Sequence, residues 1–150
     1  MNKPHAEAYD FLKKHKFAIL STASKDASPW GAAIYYTVDK DLHFYFLTHT
    51  ASKKYKNIQE HPQAAITVVD DNAQTTVQAA GKIKEVPMGD EQNEAYRMII
   101  EIHPPGEYKW TPPVSKLHNG DTMLLRFTPD HLQLSVFTPS QSTPNIKKII

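Results

Sequence analysis

Apolar residues recur at helical spacing near the start of the chain and then give way to the alternation of strands. Over 4–16, Ala8, Phe11, Leu12 and His15 fall on one stripe and Pro4 suits a first turn, which predicts a helix. FAILSTAS (17–24) is rich in strand formers and ends in the polar turn KDAS, so it is expected to pair back onto WGAAIYYTV (30–38). Asp39-Lys40-Asp41 then turns the chain into LHFYFLT (42–48), which would complete a meander of three strands. SKKYKNIQEH (52–61) returns to helix formers, with Ser52 as cap and Pro62 as stop. AAITVVD (64–70) and TTVQAAGKIKEV (75–86) read as strands joined by DDNAQ, the second placing Val77, Ala79, Gly81 and Ile83 on one face. After Pro87, the spacing of Ala95, Met98, Ile99 and Ile102 predicts a third helix.

The pattern breaks at 103–120, where four prolines and two glycines forbid a helix interior or a central strand. So long a loop is expected to be functional or held by a partner. TMLLRFT (122–128) and HLQLSVFT (131–138) predict two last strands around a Pro-Asp turn, and the polar tail 139–150 is expected to be poorly ordered. The sum is a mainly β chain of about seven strands with three peripheral helices, a small antiparallel barrel forming a single domain over 1–150.

Composition narrows what such a barrel can do. Among 150 residues, 17 are Lys or Arg and 16 are Asp or Glu, a formal net charge of +1, so no sequence-wide field attracts nucleic acid or anionic lipid. Only Arg97 and Arg126 offer a guanidinium, the group best shaped for bidentate phosphate recognition, and nucleic-acid binding is not expected. Zero cysteines exclude disulfides, thiolate metal sites and cysteine nucleophiles. No apolar run approaches the ~20 residues of a membrane span, and MNKPHAEAYDFLKKHK has no apolar secretory core, so a soluble cytoplasmic protein is expected. The hydrophobic share of 40 % is slightly low for a self-sufficient core.

The chemistry concentrates in THTASKKYKNIQEHP (48–62). Lys53 and Lys54 stand at a helix start, where the free N–H groups and the macrodipole already carry positive charge. Two readings stay open there: a solvated lysine face capped by Ser52, or a site whose anion, such as a phosphate, resolves the conflict. His49, within the stretch, is a neighbour of that site or a solvent-facing loop residue. The eight histidines show no HExxH spacing and no ligand cluster, and GxSxG, GxxxxGK and GxGxxG are all absent. Tyr108 and Trp110 in the proline-rich loop could cover a flat ligand or pack at a dimer seam.

LTHTASKKYKNIQEHP (47–62) resembles the flavin-binding split barrels related to pyridoxamine 5′-phosphate oxidase. In that family a strand ending in Thr leads to a Ser-basic-basic step and a helix ending in Asn-Pro or a variant, here His61-Pro62. SPWGAAIYYTVDKDLHFYFLT (28–48), AAITVVD and the strand through Gly81 also resemble the family's strands, so the likeness covers about residues 5–86.

The resemblance implies an FMN-binding split barrel that forms a homodimer, with the flavin at the two-fold interface and each site using both chains. It places the FMN phosphate on Lys53 and Lys54 beside Ser52, and a cofactor contact on Thr48, with His49 alongside. It lays the isoalloxazine ring along Ala32, Ala33, Ile34 and Tyr35, residues that could otherwise form a plain buried strand, and brings Thr76 near from a neighbouring strand. Relatives of similar length use FMN, a deazaflavin cofactor or haem. The C-terminal FTPSQSTPNIKKII lacks the Arg- and Trp-containing segment of true pyridoxamine phosphate oxidases. The expected function is therefore that of a related oxidoreductase acting on an unidentified small molecule, with no catalytic side chain or metal assigned. The alternatives are a non-catalytic flavin or haem carrier, a deazaflavin-dependent reductase, and an interaction module whose barrel merely dimerises.

Overall fold

The computed structural model describes residues 2–102 and 120–150. The predicted loop at 103–120, with Tyr108 and Trp110, falls outside them except for Gly120. The elements run α1 (Lys3–Lys14), β1 (Phe17–Ala23), β2 (Pro29–Tyr35), β3 (Thr37–Val38), β4 (Phe44–His49), α2 (Lys53–Glu60), β5 (Gln63–Asp70), β6 (Thr75–Glu85), α3 (Asp90–Ile102), β7 (Thr122–Val136) and β8 (Asn145–Lys148). All strand pairings are antiparallel, in the order β2-β1-β5-β6-β7-β4-β3, with β8 added on β7.

The expected three-strand meander does not form. The predicted strand 30–38 is broken at Tyr36, and β4 pairs with β3 and β7 instead of β2. Since β2 and β3 are the two ends of the strand path and Tyr36 alone separates them, the sheet must curl until its ends meet. The result is a split barrel. Tyr36 is suited to that corner: it is buried, its N–H donates to Lys16 O at 3.2 Å and its hydroxyl donates to Leu12 O at 3.0 Å. Strand alternation sends Leu20, Ile34, Phe44, Phe46, Val77 and Phe127 inward, where α1 adds Ala8 and Leu12. A smaller cluster under α3 joins Tyr45, Val86, Ala95, Ile99 and Leu124.

Two further expectations are corrected. The Pro-Asp step at 129–130 is no turn; β7 runs through it as one strand of 15 residues. Ala80 pairs with His131 and Gly81 with Pro129, so Asp130 is the extra residue of a β-bulge. Gly81 permits it, because a Cβ there would lie 2.2 Å from Thr128 O. The tail is also ordered as β8, which pairs along Gln133–Val136, while Lys147 Nζ reaches Glu7 Oε2 at 2.5 Å. Beyond it, Ile149 N donates to Leu132 O and Leu132 N donates to Ile150 O. Among the described residues the strand count is therefore eight.

Candidate functional site

The predicted helix cap is in place. Ser52 caps α2, its Oγ accepting from Tyr55 N at 3.3 Å and lying 3.1 Å from Thr48 Oγ1 at the buried end of β4. Thr48 and Ser52 thus meet at the helix start, with Lys53 and Lys54 following in the first turn; of the four, Ser52 and Lys53 line the cavity beside the helix, and Thr48 and Lys54 do not. His49 is exposed on the same lip; its Nδ1 accepts from Ala51 N at 3.1 Å, which leaves Nε2 to carry the ring proton in the neutral form. Thr50 fastens the turn by donating to Asp121 O.

Helix α2 is charged against its dipole at both ends, with two lysines in the first turn and Glu60 in the last. Glu60 has a local explanation, since it accepts from Lys25 N in the β1–β2 turn at 3.0 Å. For the lysines there is none: among the described residues no carboxylate pairs with Lys53 or Lys54, and nothing accepts from their backbone N–H groups. Lys54 is half-buried, and burial alone pulls its ammonium below the ordinary lysine pKa. A partly desolvated cation, free amide donors and a hydroxyl make a donor set that fits a phosphate group.

A cavity of about 800 Å³ opens beside this helix start, lined by Ser52, Lys53, Lys56 and Asn57 from α2 and by Ser24 and Lys25 from the β1–β2 turn, among others. Lys25, Lys56 and Asn57 went unnoticed in the sequence. Lys56 stands three residues after Lys53 and so shares its helix face, a spacing that could have found it. Nothing in the sequence alone brings the hairpin turn of Lys25 to α2. Asn57 is buried and donates through Nδ2 to Thr22 Oγ1 at 3.1 Å, fixing α2 on β1. Tyr55 OH and Gln59 both donate to Glu85 of β6, at 2.6 and 2.9 Å, and that carboxylate raises the Tyr55 pKa.

Ala32, Ala33, Ile34 and Tyr35 form the last strand of the path, β2, paired to β1 along one edge only. Ala33 and Tyr35 stand opposite Ile19 and Phe17 on the outer face, while Ile34 is buried within. Thr76 is not with the others. It pairs with Val69 and Ser135, twelve positions along β7 from the Met123 that faces Thr48, and it lines a separate cleft with Asp70, Gln74 and Phe137.

Away from this site, Asp39, Asp41 and His43 come within metal-binding distance of one another. The Asp39 carboxylate is already occupied, accepting from the Asp41 and His43 amides, His43 Nδ1 and Tyr45 OH, so the group builds the turn into β4. The cleft of about 470 Å³ beside it is lined by Arg97, which is ion-paired to both Glu94 and Glu101. Among the described residues, no helix is long and apolar enough to cross a membrane.

Solved structures with this fold are numerous, and their names differ in what they bind. A haem-binding protein from Mycobacterium smegmatis matches with TM-score 0.75 and 16 % identity over 99 % of this chain, which spans 59 % of that protein's length. A pyridoxamine 5′-phosphate oxidase-related, FMN-binding protein from Nostoc punctiforme matches with TM-score 0.60 and 16 % identity, covering 97 % of this chain and 93 % of its own. An F420 reductase matches with TM-score 0.63 and 22 % identity, over 83 % and 94 %. Identities this low establish the split-barrel fold alone. No curated protein matches significantly in sequence. The sequence itself is matched over residues 4–135, from α1 to the end of β7, by the family model described as pyridoxamine 5′-phosphate oxidase, and to that family this chain belongs.

Proposed function

We propose that this protein binds FMN and acts as a flavin-dependent oxidoreductase on a small molecule, as a homodimer. The observation that carries the reading is the uncompensated, half-buried charge of Lys54 beside Lys53 and Ser52 at the start of α2. FMN, unlike riboflavin, brings a phosphate to neutralise it. Ser52, Lys53, Lys54 and the free amides of the first turn would hold that phosphate, with Thr48 beneath. The ring would lie along Ala32 to Tyr35, where two alanines allow close approach to the unpaired edge of β2. When bound, the flavin supplies the electron or hydride transfer, and the protein binds it, orients it and tunes its potential.

The outer face supports the dimer. Phe17, Ile19 and Val69 are exposed by 50 %, 41 % and 57 %, and the pairing register aligns them with Ala33, Tyr35 and Thr67 across β2, β1 and β5. An apolar face of this kind suits a subunit interface. Thr76 pairs with Val69 and so lies on that face, remote from its own Thr48. In a two-fold dimer, Thr76 of the partner subunit would complete each flavin site.

Titration of the purified protein with FMN and with riboflavin tests the reading. FMN is expected to bind, and Lys53→Ala with Lys54→Ala to weaken FMN far more than riboflavin. Failure to bind FMN refutes the proposal, and equal losses for both ligands remove the lysines from the phosphate site. Reduction of the bound flavin by NADH or NADPH in stopped flow separates an oxidoreductase from a carrier.

A further inference from the structure

Lys53 carries a long, exposed side chain, which ordinarily would sample many rotamers and give up rotamer freedom on binding an anion. Here it is held. Its Nζ lies 4.3 Å from the centre of the Trp30 ring, within cation–π range. Strand pairing and a buried hydrogen bond tie together the elements that carry the two groups. Trp30 pairs with Thr22 on β1, Thr22 accepts the buried hydrogen bond of Asn57, and Asn57 lies one helical turn after Lys53 on the same face of α2. Lys53 lines the cavity, and Trp30 meets the lysine ammonium from beside it.

We infer that Trp30 is a positioning residue for phosphate recognition: it holds the Lys53 ammonium at the cavity wall before the ligand arrives. A cation resting on an aromatic face spends none of its N–H donors in conventional hydrogen bonds, so the lysine can bind an oxyanion without leaving the ring. Trp30 thereby favours the phosphorylated form of a ligand over the same ligand without phosphate. It is exposed by 43 %, which lets its replacement be tolerated by the fold.

This inference rests on the FMN reading, and its test separates the two. FMN and riboflavin affinities are compared for the wild type, Trp30→Leu, Trp30→Phe, Lys53→Ala and the double variant Trp30→Leu with Lys53→Ala. Trp30→Leu is expected to weaken FMN about two- to fivefold, the worth of an exposed cation–π contact, and to leave riboflavin unchanged. Trp30→Phe, which keeps a ring face, restores most of the loss. In the Lys53→Ala background the tryptophan change costs nothing further. Equal weakening of riboflavin, or a loss that persists without Lys53, overturns the inference. If the wild type binds no FMN, the functional reading falls, and the same variants titrated with inorganic phosphate decide the role of Trp30 alone.

Discussion

Removing the charge of Lys54 should move stability and binding in opposite directions. Lys54→Gln keeps a helix former of similar length and removes a cation from the positive end of α2. A charge at a helix end is worth about 0.3–1 kcal/mol, and here its sign is unfavourable. Burial adds to the cost in the same direction, since desolvation is what lowers the Lys54 pKa. The ligand-free variant is therefore expected to unfold about 1–4 °C higher than the wild type, at roughly 2–4 °C per kcal/mol for this size. With FMN saturating, the order reverses. A charge-assisted hydrogen bond contributes about 1.5–3 kcal/mol, so the variant loses about ten- to hundredfold in FMN affinity. Thermal unfolding followed by circular dichroism, with and without FMN and riboflavin, reads both effects. A ligand-free variant less stable than the wild type would refute the argument, because it would show that Lys54 already has a compensating partner.

The same cation sets a pH dependence. Its pKa lies below the ordinary lysine value of 10.5 in the free protein, so it loses its proton earlier on the alkaline side. FMN affinity should fall as pH rises through that lowered pKa, and ligand-free stability should rise over the same range as the buried charge is relieved. Lys54→Gln should flatten both curves, and curves unchanged by the substitution would exclude Lys54 as their source. At the bulge, Gly81→Ala forces a Cβ against the backbone of Thr128 and Pro129, at 2.2 and 2.8 Å, and should cost about 1–3 kcal/mol in urea unfolding. No loss there would mean that the bulge relaxes freely. On the outer face, Val69→Glu should convert a dimer to monomers in sedimentation equilibrium while the monomer stays folded, because Val69 is already exposed by 57 %. A variant that sediments as the wild type does would move the interface elsewhere.

What the sequence displayed and what it hid divide along a physical line. Local signals survived folding. Ser52 caps α2 as its position predicts, Pro62 follows the end of the helix, and Val77, Ala79, Gly81 and Ile83 share the buried face of β6. Each depends on neighbours a few residues away. The features that went unseen depend on partners remote in the chain. Pro129-Asp130 has turn chemistry, yet Gly81, nearly fifty residues earlier, accepts the pair as a bulge. Asn145–Lys148 looks like a polar tail until the free edge of β7 gives it hydrogen-bond partners. Tyr36 sits within a continuous apolar run, and only the need to join the two ends of the sheet breaks that run into two strands. The site follows the same rule: Lys53 and Lys54 were legible at their helix start, whereas Lys25 and Trp30 reach it only through the β1–β2 hairpin.

The corner at Tyr36 also bears on the order in which the barrel assembles. Bringing two ends of a sheet together usually requires a long loop to close, and that cost grows with the length of the loop. Here it falls almost to nothing, because one residue already joins them. The hairpins β1–β2, β3–β4 and β5–β6 are all local in sequence and can form on their own short turns. The entropy of closure falls instead on the pairings remote in sequence, β1 with β5 and β7 with β6 and β4, the longest bringing Phe127 to Phe44 about eighty residues away. β7 thus closes the longest loop of the barrel. Its docking turns a set of hairpins into a closed barrel, and the same event brings Met123 alongside Thr48 under the start of α2. A chain stalled before that step would carry the lysines of the candidate phosphate site without the strand that backs them.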